Sequence, residues 1–109
     1  MKYITFTIPC YNSENYMRRC VDSLLVGGED VEILIIDDGS SDRTGAIADE
    51  YEMLYPNIVK AVHKPNGGHG SGVNKGLELA HGLYYKVVDS DDWFDRDAYL
   101  KMLDKIKSC

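Results

Sequence analysis

The sequence predicts a three-layer, Rossmann-like α/β domain in which helices cover both faces of a mostly parallel sheet. Short β-prone apolar segments alternate along the chain with segments whose apolar residues recur every three or four positions. This alternation is typical of βαβ units, whose right-handed crossovers produce parallel strands. With 109 residues the chain has the length of one domain, and we assign all of residues 1–109 to it.

Four segments have the composition of buried strands, at residues 3–8, 32–36, 58–62 and 84–88. Each is rich in aliphatic, β-branched or aromatic side chains, and each is followed by polar or acidic residues. We expect Pro9 to end the first strand and the pair Asp37-Asp38 to end the second.

The first helical segment follows the first strand. Ser13 is a suitable N-cap, and Gly27-Gly28 ends the segment. The apolar residues at helical spacing, which we expect to face inward, are Tyr16, Met17, Cys20, Leu24 and Leu25.

Three more helices are predicted further along the chain. Ser41 or Asp42 is expected to cap the second, which Pro56 ends. The third is expected to begin after Gly72 and to end at Gly82, and the fourth to span residues 96–106. The inward residues predicted for the second and third helices are Ile47, Tyr51, Leu54, Val73, Leu77 and Ala80.

Composition and charge exclude several classes of function. The net charge is −6, which disfavours nucleic-acid binding because that binding relies on Lys and Arg neutralising phosphates. The sequence contains neither a signal peptide nor an apolar run of the roughly 20 residues that a membrane span requires. We expect a cytoplasmic protein with free thiols, any membrane association being made through parts of a longer protein outside this chain.

The residues that follow the strands carry the chemistry. In an open parallel sheet, ligands bind outside the carboxyl ends of the strands. Asp89, Asp91 and Asp92 follow the fourth strand, and three carboxylates within four positions repel one another unless a cation lies between them. Carboxylate oxygens suit Mg²⁺ or Mn²⁺. We therefore expect a divalent cation that is shared with a diphosphate, although acidic residues at strand ends also cap helices and form turns.

Two further residues at this edge suit a nucleotide base. A carboxylate at Asp38 can accept the imide N–H of uracil or thymine, and Tyr11 can stack on the base. Asp-Gly is also a common turn, however, and an aromatic residue near a strand end is more often simply packed. The glycine-rich residues 67–72 lack the Gly-Lys-Ser/Thr ending of a P-loop and the glycine spacing of a dinucleotide fingerprint, and they follow the third strand rather than the first. Two interpretations of this loop stay open. Its backbone amides could approach a sugar or phosphate, or the loop could simply connect the third strand to the next helix. We expect His63 and His81 to be structural.

The chain resembles the inverting glycosyltransferase family 2 in the order and spacing of five motifs over nearly its whole length. The motifs are Ile8-Pro9-Cys10-Tyr11-Asn12, Ile36-Asp37-Asp38-Gly39-Ser40-Ser41-Asp42, Asn66-Gly67-Gly68, Asn74-Lys75-Gly76 and Asp89-Ser90-Asp91-Asp92-Trp93. This resemblance implies the GT-A fold, a nucleotide-diphospho-sugar donor and a saccharide, lipid or protein acceptor.

Carried over by motif, the resemblance also implies site residues. The donor would contact Pro9, Tyr11, Asn12, Asp38, Gly68, Asn74, Asp89 and Asp91, and the metal would be held by Asp89, Asp91 and Asp92, the acidic DXD motif. Gly72-Val73-Asn74 departs from the Ala-Arg-Asn common in the family, and so lacks the basic residue of that stretch. Family members continue well past the acidic motif. The resemblance therefore implies that the catalytic base lies beyond Cys109 and that the chain is truncated at its carboxyl end.

Two other functions compete with a glycosyltransferase that uses a UDP-sugar. A non-catalytic module could bind nucleotide sugars or act as a scaffold on the same fold. A nucleotidyltransferase also uses such a sheet, but it would require a basic, glycine-rich signature after the first strand, where this chain has Pro9-Cys10-Tyr11-Asn12.

Overall fold

A computed structural model describes all of residues 1–109. The strands are β1 (Ile4–Cys10), β2 (Val31–Asp38), β3 (Val59–Lys64) and β4 (Tyr84–Val87), and the helices are α1 (Met17–Leu25), α2 (Thr44–Leu54), α3 (His69–Leu79) and α4 (Arg96–Lys107). The four strands form one all-parallel sheet with the order β3-β2-β1-β4, and a single 3₁₀ turn, Gly28–Asp30, precedes β2. The predicted α/β class and parallel sheet are confirmed.

Three strands run further than the sequence predicted, since β1 ends at Cys10, β2 at Asp38 and β3 at Lys64. β1 continues through Pro9 to Cys10 because β4 pairs with it only as far as Thr7, so no bond on that side requires an N–H from Pro9. β2 continues through Asp37 and Asp38 because β3 offers His63 and Lys64 as pairing partners there. The acidic pair therefore belongs to the sheet edge itself.

The three layers are unequal. One face of the sheet buries the apolar cluster that includes Phe6 and Ile33, and α1, α2 and α4 pack on this face. Phe6, Phe94 and Tyr99 meet edge to face, with ring centroids 5.4–5.6 Å apart. On the other face only α3 packs. None of the four helices is both long enough and apolar enough to cross a membrane.

Helix α3 differs from the prediction in its start and in its inward face. It begins at His69 rather than after Gly72, because Gly68, at φ 91°, makes the turn into it. Its buried residues are Gly72 and Gly76, so the backbone of α3 lies directly against β1. Leu77, predicted to face inward, is 58% exposed, since the glycine side of the helix occupies the sheet.

The first two helices also correct the sequence prediction in detail. Ser13 does not cap α1, which begins four residues later at Met17, and Tyr16 is exposed. The N-cap of α2 is neither Ser41 nor Asp42 but Arg43, which makes no side-chain cap. Asp42 stands one residue earlier, where its Oδ1 accepts the N–H of Thr44 at 2.9 Å. Leu54, expected inward, lies at the exposed end of that helix.

Candidate functional site

The loops after the four strands meet at the carboxyl edge of the sheet and contact one another in a ring. The strand order changes direction between β1 and β4, and ligands of open α/β sheets bind at such switch points. The contacts that close the ring join each loop to the next. They are Asn12 with Ser40 and Ser41, Asp38 with Gly67 and Gly68, His69 with Asp89, and Ser90 with Ser13.

Asn12 holds the first loop to the second. Its backbone is in the left-handed region at φ 48°, which asparagine tolerates better than most residues. Its N–H donates to Ser40 Oγ at 3.0 Å, and its Oδ1 accepts the Ser41 N–H at 2.9 Å. The amide oxygen of Asn12, which was predicted to bind the donor, is therefore hydrogen-bonded within the protein, where it fixes the loop that carries Tyr11.

Asp38 is buried and accepts three hydrogen bonds. The donors are Lys64 Nζ at 2.6 Å, the Gly67 N–H at 2.8 Å and the Gly68 N–H at 2.9 Å. Burial alone would raise the pKa of Asp38, but the bonds from Lys64 and the two amides outweigh it and hold the pKa below its usual value. Asp38 is thus an ionised carboxylate that can only accept hydrogen bonds.

A recess of about 90 Å³ lies between these loops and brings together four of the predicted site residues. Pockets that enclose a whole small ligand usually have roughly 300–1,000 Å³, so this recess has room for only one part of a nucleotide sugar. The Tyr11 ring beside it is 53% exposed and therefore free to stack. The residues that line the recess are Pro9, Cys10, Tyr11, Asp38, Gly68 and His69.

The acidic cluster consists of Asp89, Asp91 and Asp92. All three are exposed, and one carboxylate oxygen from each lies within 4.8 Å of the others. Oxygens on opposite sides of a Mg²⁺ lie about 4.2 Å apart, because each Mg–O bond is about 2.1 Å long. The three exposed oxygens are of the kind that a hard divalent cation binds, and the carboxylates would have to move slightly closer together to hold one Mg²⁺ between them.

The recess and the acidic cluster are neighbours. His69 lines the recess, and its Nε2 lies 3.4 Å from Asp89 Oδ1. The recess and the acidic cluster thus lie side by side at one edge of the sheet. Asn74, by contrast, is exposed on α3 and does not line the recess.

Lys64 and His63 also lie at this edge, although Lys64 was not predicted from the sequence and His63 was predicted only as a structural residue. Their strand register places them beside Asp38 and Asp37, a pairing that follows from parallel alignment of the two strand ends. His63 bonds Asp37 Oδ2 at 2.9 Å through Nδ1 and Asp49 Oδ1 at 2.7 Å through Nε2. These bonds raise the pKa of His63, and they join β3 to β2 and α2.

A larger cavity, of about 280 Å³, lies at the amino ends of the strands, where its lining includes Lys2, Glu32 and Val59. It is on the wrong edge of the sheet for a ligand of this fold class. None of the predicted site residues contributes to it. The smaller recess is therefore the candidate site.

Comparison with known proteins agrees with this architecture. The chain is 38% identical over 103 residues to glycosyltransferase GlyA of Streptococcus pneumoniae, covering 94% of this chain and 14% of that protein. It is 38% identical over 102 residues to the poly(ribitol-phosphate) beta-glucosyltransferase of Bacillus spizizenii, covering 90% of this chain and 16% of that protein. The chain spans about a third or less of the length of the curated relatives it matches.

Solved structures give the same result. TarS of S. aureus, residues 1–349, in complex with UDP-GlcNAc, superimposes with a TM-score of 0.82 at 29% identity and covers 99% of this chain and 32% of that one. This similarity establishes the GT-A fold. The model of glycosyl transferase family 2 matches residues 5–108, nearly the whole chain, and the chain therefore belongs to that family of glycosyltransferases.

Proposed function

We propose that this domain binds a nucleotide-diphospho-sugar, with UDP-sugars as the first candidates, for an inverting and metal-assisted glycosyl transfer. The observation that carries the proposal is the adjacency of the recess and the acidic cluster, which His69 links at 3.4 Å. Support also comes from TarS, 29% identical to this chain, which was solved with UDP-GlcNAc.

The recess would hold the base. The exposed Tyr11 ring offers a stacking surface, and Asp38 offers an ionised acceptor for an imide N–H. Pro9 and Gly68 supply the remaining walls. Uracil meets these requirements, since it is a small planar ring with one imide donor.

The acidic cluster would hold the diphosphate through Mg²⁺ or Mn²⁺, with Asp89, Asp91 and Asp92 as ligands. When bound, the cation neutralises the charge that develops on the departing nucleoside diphosphate. The protein residues fix its position next to the recess. Without it, the carboxylates would repel the phosphates.

The remaining parts of the reaction are proposed to lie outside residues 1–109. An inverting transfer requires a general base that deprotonates the acceptor hydroxyl while the anomeric carbon is attacked from the opposite face. We assign no residue of this chain to that role, and the domain is proposed as the donor-binding part of a longer enzyme. The acceptor, whether saccharide, lipid or protein, is left open.

Calorimetric titration tests the proposal. UDP, UDP-sugars and other nucleotides are titrated into the chain with and without Mn²⁺. Asp91→Asn should weaken metal-dependent binding at least tenfold. Mutating a residue that only supports a metal ligand typically lowers metal affinity about 10–100-fold, and Asp91 is proposed as a ligand itself.

Asp104→Asn is the matched control, since it removes the same charge from an exposed residue of α4 whose side chain makes no hydrogen bond. Binding of no nucleotide by the wild-type chain, or equal binding by Asp91→Asn and the wild type, would refute the donor site. Donor binding without sugar transfer by the full-length protein would favour the non-catalytic module.

A further inference from the structure

The Asp38 carboxylate has one acceptor position left. An ionised carboxylate offers about four lone-pair positions, two on each oxygen. Oδ1 accepts two bonds, from Lys64 Nζ at 2.6 Å and from the Gly67 N–H at 2.8 Å. Oδ2 accepts one, from the Gly68 N–H at 2.9 Å. The free position therefore belongs to Oδ2.

Lys64 holds this arrangement from a nearly buried position. Its side chain is 14% exposed and that of Asp38 is 7% exposed, and the two residues are register partners at the ends of β3 and β2. Its ammonium group also donates to Pro65 O at 2.7 Å. Gly67 leaves it room, since a Cβ there would lie 3.0 Å from Lys64 Nζ. The ammonium is thus fixed on both sides.

We propose that Lys64 is a positioning residue for base selectivity, because it saturates Oδ1 of Asp38 and so turns the one free acceptor, on Oδ2, toward the recess. This inference rests on the donor site proposed above. Uracil presents an imide N–H to such an acceptor. Cytosine presents an unprotonated ring nitrogen at the same position, which would face the lone pair and be rejected.

No other basic side chain can take over this role. Lys64 is the only lysine or arginine that bonds Asp38, and the two glycine amides hold one oxygen each. Without Lys64, Oδ1 would also have a free acceptor position, so the carboxylate would offer two free positions instead of one. Selectivity for the imide N–H would then fall even where the nucleotide still binds.

The test is the ratio of UDP to CDP affinity, measured by calorimetry in Mn²⁺ for the wild type, Lys64→Met and Lys64→Arg. We expect Lys64→Met to lower the ratio about tenfold, the size of one lost charge-assisted hydrogen bond. Lys64→Arg keeps a charged donor and should retain most of the preference. The ratio does not depend on the folded fraction of a sample, so partial destabilisation does not imitate the effect.

The possible outcomes separate the role of Lys64 from the donor site itself. An unchanged ratio in Lys64→Met, with UDP bound by the wild type, overturns the role of Lys64 and leaves the donor site intact. Failure of the wild type to bind UDP overturns the donor site itself. If Lys64→Met does not fold, Lys64→Gln, whose side chain is one atom shorter than lysine, replaces it. Failure of both to fold would make Lys64 a purely structural residue and overturn the proposal.

Discussion

The close approach of α3 to β1 makes a sharp prediction at Gly76. A Cβ added there would overlap Oγ1 of Thr7 and lie 2.8 Å from the Thr7 Cβ. Thr7 is fully buried in β1, between β2 and β4, and cannot move aside. Gly76→Ala therefore requires α3 to shift away from the sheet.

Two opposing contributions set the change in the free energy of unfolding of Gly76→Ala. Overpacking a filled site costs typically 1–3 kcal/mol, and the overlap with several Thr7 atoms places this case at about 3 kcal/mol. Replacing glycine by alanine inside a helix returns about 1 kcal/mol. The net loss is about 2 kcal/mol, or roughly 8 °C in melting temperature or more for a domain of this size.

Thermal melts and urea unfolding measure the effect, and Gly70→Ala in the same helix is the matched control. A Cβ at Gly70 would have no atom within 4 Å, so that variant should be as stable as the wild type or more so. Gly76→Ala should also weaken UDP binding, because α3 begins at His69 in the wall of the recess. Equal stability of the two variants would refute the reasoning.

Two further predictions concern titratable groups. Bonds to Asp37 and Asp49 raise the pKa of His63, so its contribution to stability is present below about pH 6.5 and is lost as the pH rises through the raised pKa. In urea unfolding, His63→Gln should therefore lower the free energy of unfolding more at pH 5.5 than at pH 9. The difference should be about 1 kcal/mol or less, because the imidazole is half exposed. An equal loss at both pH values would contradict this. Burial is the largest cause that raises the pKa of the Cys10 and Cys20 thiols to about 12, whereas Cys109 is exposed. A thiol reagent at pH 8 should therefore label one cysteine in the native chain and all three after unfolding. Rapid labelling of a second native thiol would contradict the burial.

The strands and the site edge were predictable from the sequence because they depend on local signals. Buried parallel strands read as short apolar runs, and the polar residues that follow them must meet at one edge. Hence Tyr11, Asp38 and Asp89 were placed at the same edge from their positions alone, and the recess and cluster contain them.

The details of α3 were not predictable, because they depend on a tertiary contact. Helical periodicity placed Leu77 inward, but the sheet admits only a surface without side chains at that point, and Gly72 and Gly76 provide it. The same applies to Lys64, whose role depends on its register with Asp38. Hydrophobic patterns contain no information about register between distant strands.

The two halves of the proposed donor site balance their negative charge in different ways. Asp38 receives an ammonium group and two amides from its own protein, so its charge is balanced without a ligand. The acidic cluster receives only His69, at 3.4 Å from Asp89, while the side chains of Asp91 and Asp92 accept no hydrogen bond. In a chain with a net charge of −6, that cluster would repel a diphosphate. We therefore expect a cation to be needed at this half alone, and UDP binding to depend more strongly on Mn²⁺ than uridine binding does.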